Sequence, residues 1–177
     1  MIAIFIVFPT VGTFNNRRKA QSIDECHECP AGQFCGSAGL SMPSGKCLAG
    51  YYCLKASKYP YPVKNLTAPA NFTFPYYNDR CPPGYYCESG TTHPKNCPVG
   101  TFSTTGGIAN ASDCQPCQAG RYCSFSGPVR SNEPPKCFPG FVCLRGSSTP
   151  TPVDNIAGYE CPPGFYCPEG ELHDHAL

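Results

Sequence analysis

Apolar residues along this chain follow the cysteines and do not keep a helical period. No window of about eleven residues places them 3.6 residues apart, so the sequence predicts almost no helix. The recurrent pattern is Cys-x-x-Gly-x-x-Cys, in which aromatic residues usually stand between the glycine and the second cysteine. Aromatic residues favour strands and glycine favours turns. The pattern therefore predicts short strands that alternate with tight turns.

This element occurs six times, always with glycine at its fourth position. The six copies are Cys29 to Cys35, Cys47 to Cys53, Cys81 to Cys87, Cys117 to Cys123, Cys137 to Cys143 and Cys161 to Cys167. In three of them the second residue is proline, namely Pro30, Pro82 and Pro162. Proline presets φ for a β-turn and glycine supplies the left-handed conformation after it. Each element is predicted to begin with such a turn.

Composition places the chain in an oxidising compartment. Its 177 residues include 15 Cys, 21 Pro and 18 Gly, with no Trp. Cytosolic glutathione would keep so many thiols reduced, whereas secreted domains use disulfides in place of a large core. The sequence therefore predicts a small disulfide-rich fold, an elongated tandem array of cysteine-rich repeats with short two-stranded β elements and turns. We expect it to be extracellular, either secreted or in the ectodomain of a surface protein.

Two eight-cysteine units lie in register along the chain. The segment Val-Gly-Thr-Phe at 11–14 returns at 99–102, and Cys26 and Cys114 are separated by the same 88 residues. This register puts Pro9 where the second unit has its first cysteine. The odd number of cysteines is therefore explained by one missing partner, and it does not by itself imply a functionally reactive thiol.

The register also sets the expected domain limits. Repeat 1 is predicted at 9–96 and repeat 2 at 97–177, as a segment of a longer array whose units are too small to bury a core alone. Residues 1–8 form an apolar run much shorter than the roughly 20 residues that span a bilayer. That run is either a signal peptide, although it lacks a basic start and a cleavage site, or the edge of a gene model that replaced native sequence.

The two repeats differ mainly in one loop. Residues 54–80 of repeat 1 are ten residues longer than their counterpart in repeat 2, although both begin alike, with LKASKYPYPV and LRGSSTPTPV. An insertion of this kind predicts a surface loop. N-glycosylation sequons place acceptors at Asn65 and Asn71 in this loop and at Asn110 in repeat 2.

Spacing alone leaves the disulfide connectivity open. The preferred scheme joins Cys97 to Cys114, closing a sixteen-residue loop worth about 3 kcal/mol in the loop-entropy treatment. It continues with Cys117 to Cys137 and Cys123 to Cys143, crossing between successive elements. Cys26 is left without a partner.

Charge and side-chain chemistry argue against several function classes. A net charge of +1 leaves no basic surface for nucleic acid, and Arg17-Arg18-Lys19 is interpreted as a solvated loop. The Cys-x-x-Cys pairs at Cys26 and Cys114 are too far apart for a zinc site, which needs a second pair about 15–20 residues away. His173-Asp174-His175 is interpreted as a terminal tail. We assign no catalytic residue, metal site or cofactor.

The motifs Cys-Pro-x-Gly-Thr-Phe-Ser, Thr-Gly and Cys-x-x-Cys-x-x-Gly-x-Tyr-Cys, best matched over Cys97 to Cys123, resemble the ephrin type A/B receptor-like cysteine-rich repeat. Val11 to Cys35 matches it without the opening cysteine. This repeat is similar in style to EGF-like and tumour necrosis factor receptor-like modules. The resemblance implies a disulfide-laddered spacer or interaction module, and no kinase motif is present.

Three functions stay open on the sequence. The preferred one is a non-enzymatic structural, adhesive or spacer module of a larger secreted or surface protein, with protein or glycan partners in the matrix or coat and neighbouring repeats of its own chain. The second is the ligand-binding part of a receptor ectodomain. The third is a cysteine-rich protease inhibitor that would use the exposed loop Lys55 to Arg80. None of the three involves nucleic acid or direct membrane insertion by this segment.

Overall fold

The computed structural model describes residues 9–61, 78–124, 133–170 and 175–176. All 15 cysteines fall within these ranges. In this part of the chain the helical segments are two single 3₁₀ turns, Ile23–Glu25 and Ala111–Asp113, with no α-helix. The expected scarcity of helix is confirmed for these residues.

The described strands are two or three residues long, and they pair as two-stranded antiparallel ribbons. The ribbons are β1 (Thr13–Phe14) with β2 (His27–Glu28), β3 (Gln33–Phe34) with β4 (Gly45–Lys46), β5 (Tyr51–Cys53) with β6 (Asn78–Arg80), β7 (Tyr85–Tyr86) with β8 (Lys95–Asn96), β9 (Thr101–Phe102) with β10 (Gln115–Pro116), β11 (Phe141–Cys143) with β12 (Gly158–Glu160), and β13 (Phe165–Tyr166) with β14 (His175–Ala176). Arg121 and Lys136 form an isolated antiparallel bridge. The predicted fold of turns and short two-stranded β elements is confirmed.

A tight turn opens each Cys-x-x-Gly-x-x-Cys element, as the sequence predicts. In the first copy the N–H of Gln33 donates to the carbonyl of Pro30 at 3.1 Å, and Gly32 has a φ of +80°. A side chain is strained at this φ and glycine is not. The two residues after the glycine then extend as β3, which brings the end of the element back beside its start.

The turn glycine also joins its element to the next one. Its N–H donates to the carbonyl of the residue that ends the next element, and its carbonyl accepts the N–H of the cysteine that begins it. The same pair of bonds recurs at Gly12 with Cys35 and Cys29, Gly32 with Cys53 and Cys47, Gly50 with Cys87 and Cys81, Gly84 with Ser103 and Cys97, Gly100 with Cys123 and Cys117, Gly120 with Cys143 and Cys137, and Gly140 with Cys167 and Cys161. Backbone hydrogen bonds therefore connect successive elements.

Cysteines supply most of the buried apolar surface. Apart from them, the buried apolar side chains of the described residues are Phe102, Pro134, Val142 and Pro152. The Phe102 ring packs against Cys117 and Cys123, so an aromatic ring covers a disulfide. Such a core buries too little apolar surface to stabilise a fold by itself. The disulfides supply the missing stability.

Two compact units make up the chain. Among the described residues, unit 1 takes those up to Cys81 together with Cys87–Pro94, and unit 2 takes Pro82–Tyr86 and those from Lys95 onward. The repeat limits expected from the sequence, 9–96 and 97–177, stay a prediction. The described part of the chain contains no helix with the length and hydropathy of a membrane span.

Candidate interaction surface

Fourteen of the cysteines form seven disulfides with Cα–Cα distances of 5.8 to 6.3 Å, inside the ordinary range. The pairs are Cys29–Cys35, Cys47–Cys53, Cys81–Cys87, Cys97–Cys114, Cys117–Cys123, Cys137–Cys143 and Cys161–Cys167. Cys97–Cys114 is the pairing that the sequence analysis preferred. The other two preferred pairings, Cys117 with Cys137 and Cys123 with Cys143, are wrong.

The turn explains this correction. Because proline or another residue starts a β-turn and glycine completes it, the two cysteines of one element face each other, with Cα atoms 5.8 Å apart for Cys117 and Cys123. Crossed disulfides are not needed to join neighbouring elements, since the glycine hydrogen bonds already do so. Each element is a closed covalent loop, and the loops are stacked by backbone pairing.

Cys26 is the free cysteine, as the repeat register predicts. Its surroundings match those of Cys114. In both repeats a 3₁₀ turn precedes the cysteine. The carboxylate of its third residue accepts a hydrogen bond from the backbone N–H of the capping residue, at 3.0 Å from Ser22 to Glu25 and at 2.9 Å from Asn110 to Asp113. This bond lowers the pKa of Glu25, together with the stronger one from the N–H of Gln21.

The other candidate residues are scattered. Asn110 and the cluster Arg17-Arg18-Lys19 are exposed, whereas Asn65 and Asn71 lie outside the described residues. His173 and Asp174 lie outside them as well, so the expectation for that tail is untested. Within the described ranges no group of three His, Cys, Asp or Glu side chains is placed to hold a metal ion. The loop proposed for protease inhibition is described only at its two ends, 55–61 and 78–80.

The segments that follow β5 in unit 1 and β11 in unit 2 are held by the same three backbone hydrogen bonds, which we call the frame. In unit 1 the N–H of Ala56 donates to the carbonyl of Cys29 at 2.8 Å, and the N–H of Cys35 donates to the carbonyl of Ser57 at 2.9 Å. The N–H of Leu48 donates to the carbonyl of Pro60 at 3.0 Å. The equivalent bonds in unit 2 run from Gly146 to Cys117, from Cys123 to Ser147 and from Phe138 to Pro150, at 2.8, 2.9 and 3.1 Å. Ser57 and Ser147 are fully buried at its centre.

The side chains on this frame differ between the units. Unit 1 displays Tyr59 and Tyr61 on either side of Pro60, where unit 2 has Thr149 and Thr151. Tyr59 is 39% exposed, Tyr61 47% and Leu48, beside Pro60, 49%. Lys55 and Lys58 are also exposed and belong to the same frame. We call the set Leu48, Lys55, Lys58, Tyr59 and Tyr61 the Tyr-Lys surface.

The sequence segment that carries the Tyr-Lys surface contains positive charges and no negative ones. No Asp or Glu occurs between Glu28 and Asp79, while Lys46, Lys55, Lys58 and Lys64 do. Burial, and secondarily Asp79 in the paired strand, raise the pKa of Tyr52. That phenol therefore stays neutral at physiological pH and does not offset the lysines.

Unit 2 exposes apolar side chains on a different loop. Val153 is 65% exposed and Ile156 83%, on a turn held by the Asp154 carboxylate, which accepts from the N–H groups of Ile156 and Ala157 at 2.9 and 2.8 Å. These two bonds lower the pKa of Asp154. The nearby shallow cleft is lined by Val153, Tyr159 and one carboxylate, that of Glu160. The two units thus carry different surfaces on similar backbones.

Sequence reasoning missed the Tyr-Lys surface. It assigned aromatic residues to short strands, and it placed the start of this segment in a loop for protease inhibition. The signal was present in the aligned segments LKASKYPYPV and LRGSSTPTPV, whose shared leucine, serine and prolines mark the frame. At the two positions where tyrosine replaces threonine, the side chains are exposed in unit 1 and half-buried in unit 2.

Comparison with known proteins gives one partial similarity. The chain is 36% identical over 84 residues to tumor necrosis factor receptor superfamily member 9 of Mus musculus, a match that covers 46% of this chain and 32% of that protein. No family model matches the chain. The disulfides and this weak similarity support cysteine-rich repeats. The more specific ephrin receptor-like assignment stays a prediction.

Proposed function

We propose that this chain is a non-enzymatic extracellular module of the receptor-ectodomain type that binds a protein partner. The observation that carries the proposal is the similarity to tumor necrosis factor receptor superfamily member 9. Seven disulfides in the described residues support a compartment outside the cytosol. The exposed tyrosines of the Tyr-Lys surface support binding, because tyrosine is enriched at interface hot spots.

Cell-surface binding tests this proposal. The chain, secreted from eukaryotic cells and tetramerised through a C-terminal tag, is expected to bind a subset of cell types saturably, and mild trypsin treatment of those cells should abolish the signal. Flow cytometry measures both effects. A matched control is the chain reduced and alkylated at all its cysteines, which should not bind because its loops are open.

A spacer or adhesive module is the second candidate, since closed loops joined by backbone bonds within each unit suit a structural role as well as a receptor. The same cytometry separates the two. Folded chain that binds no cell type saturably contradicts the receptor proposal and favours the spacer. Partners in that case are neighbouring repeats and components of the matrix or coat.

N-glycosylation at Asn110 is expected in the secretory pathway, and we propose it together with Asn65 and Asn71. Asn110 is exposed at the start of its 3₁₀ turn, where its side chain is accessible to the transferase. Chain secreted from eukaryotic cells should shift to lower mass on treatment with peptide N-glycosidase, and Asn110→Gln should remove one glycan. Ser112→Ala is the matched variant, because it destroys the sequon and keeps the asparagine. An unchanged glycan mass in both variants contradicts the assignment.

A further inference from the structure

We propose that the Tyr-Lys surface docks an acidic protein segment, one that presents Asp or Glu beside a large apolar side chain. This inference rests on the proposed function and names the chemistry of the partner. Half-exposed Tyr59, Tyr61 and Leu48 supply the apolar contact, and Lys55 and Lys58 supply charge around it.

The surface is ordered before it binds. Three backbone hydrogen bonds hold the frame, and the Ser57 hydroxyl adds a fourth by donating to the carbonyl of Leu54 at 2.8 Å. The Lys58 Cγ lies beside Gly12, so its stem is packed while its ammonium reaches solvent. Tyrosine loses little conformational entropy on binding, and an ordered backbone loses less still. Fixed tyrosines with charged neighbours have the composition of an interface centre and its rim.

The partner's charge is inferred from the lysines of the sequence segment that carries the surface. With no carboxylate in the sequence from Cys29 to Asn78, a cationic partner finds no ion pair in this segment. An anionic partner gains both attraction and a faster approach. Two features favour a protein over a sulfated polysaccharide: the exposed groups are apolar as well as basic, and the lysines of the described surface are too few to form a basic run.

Random peptides displayed on phage are the probe for this proposal. Selection on the disulfide-intact chain is expected to enrich peptides with Asp or Glu next to Leu, Ile, Phe or Tyr. An enriched peptide, made with a fluorescent label, should bind wild type and lose about tenfold or more in affinity to the Tyr59→Thr/Tyr61→Thr variant. Threonine stands at both equivalent positions of unit 2, so this variant keeps a frame that the chain already builds.

Charge is tested separately. Lys55→Ser/Lys58→Ser should weaken the same peptide and flatten its salt dependence, because screening acts on the exposed pairs that it removes. The matched control Phe138→Leu alters the equivalent position of unit 2 to the residue found in unit 1, and binding should not change.

Four outcomes overturn the inference. Peptides enriched without acidic residues contradict the partner's chemistry, and peptides that bind wild type and both variants equally contradict the location. A heparin oligosaccharide is the third probe. If it displaces the peptide, and its own binding requires the lysines but not the tyrosines, the site belongs to a polyanion. Cell binding that persists in the tyrosine variant overturns only this surface, whereas wild type without cell binding contradicts the proposed function itself.

Discussion

Gly100→Ala is expected to lower the free energy of unfolding by about 3–5 kcal/mol. Gly100 adopts a φ of +76°, where any side chain is strained by about 1–2 kcal/mol. A Cβ there would also overlap the carbonyl oxygen of Gly146. That carbonyl cannot move away easily, because the N–H of Gly146 is bonded to Cys117 at 2.8 Å. Both bonds that Gly100 makes to the next element are then at risk.

The equivalent substitution Gly140→Ala is the matched control. Gly140 occupies the same turn position with a φ of +83°, but a Cβ there meets no atom within 4 Å. Only backbone strain should remain, at about 1–2 kcal/mol. The comparison therefore separates the stacking of turns from the left-handed conformation of one residue.

Urea unfolding with the disulfides intact, followed by near-ultraviolet circular dichroism, measures both variants. Gly100→Ala should have the lower midpoint by a clear margin. Equal losses in the two variants would mean that the approach of Gly146 to Gly100 contributes nothing, and would contradict the stacking described above.

The local fold was predictable because the residues of each Cys-x-x-Gly-x-x-Cys element determine its own turn and strand. Proline at 30, 82 and 162 and the following glycines fix the turns, and aromatic residues mark the strands. The connection between elements was not predictable in the same way. It depends on backbone atoms of glycine, which no side-chain pattern in the sequence reveals. The sequence analysis therefore joined successive elements by crossed disulfides such as Cys117 with Cys137, whereas backbone hydrogen bonds join them.

The surface was harder to predict than the fold. Tyr59 and Tyr61 flank Pro60, whose carbonyl accepts the N–H of Leu48, and no sequence pattern reveals that bond or the exposure of the two rings. A tyrosine in a chain with little core is expected to be used for packing, as Phe102 is. The frame shared with unit 2, where threonine stands at both positions, indicates that these backbone hydrogen bonds form without tyrosine.

Pro9→Cys is expected to create an eighth disulfide, with Cys26, and to raise the free energy of unfolding of unit 1 by about 3 kcal/mol in the loop-entropy treatment. The separation of 17 residues equals that of Cys97 and Cys114. Both ends of the expected bridge already lie in equivalent surroundings. Thr13 donates to Thr10 at 3.0 Å as Thr101 does to Pro98, and Cys26 donates to Ile23 at 3.0 Å as Cys114 does to Ala111 at 3.2 Å.

Titration of free thiols measures the result, because wild type should react at one cysteine and Pro9→Cys at none. Peptide mapping of the non-reduced variant should join residue 9 to Cys26. Pro9→Ser is the matched control, since it removes the same ring without adding a thiol, and it should leave Cys26 reactive. Two reactive thiols in the Pro9→Cys variant, or a bridge from residue 9 to any other cysteine, would contradict the register of 88 residues on which both repeats are aligned.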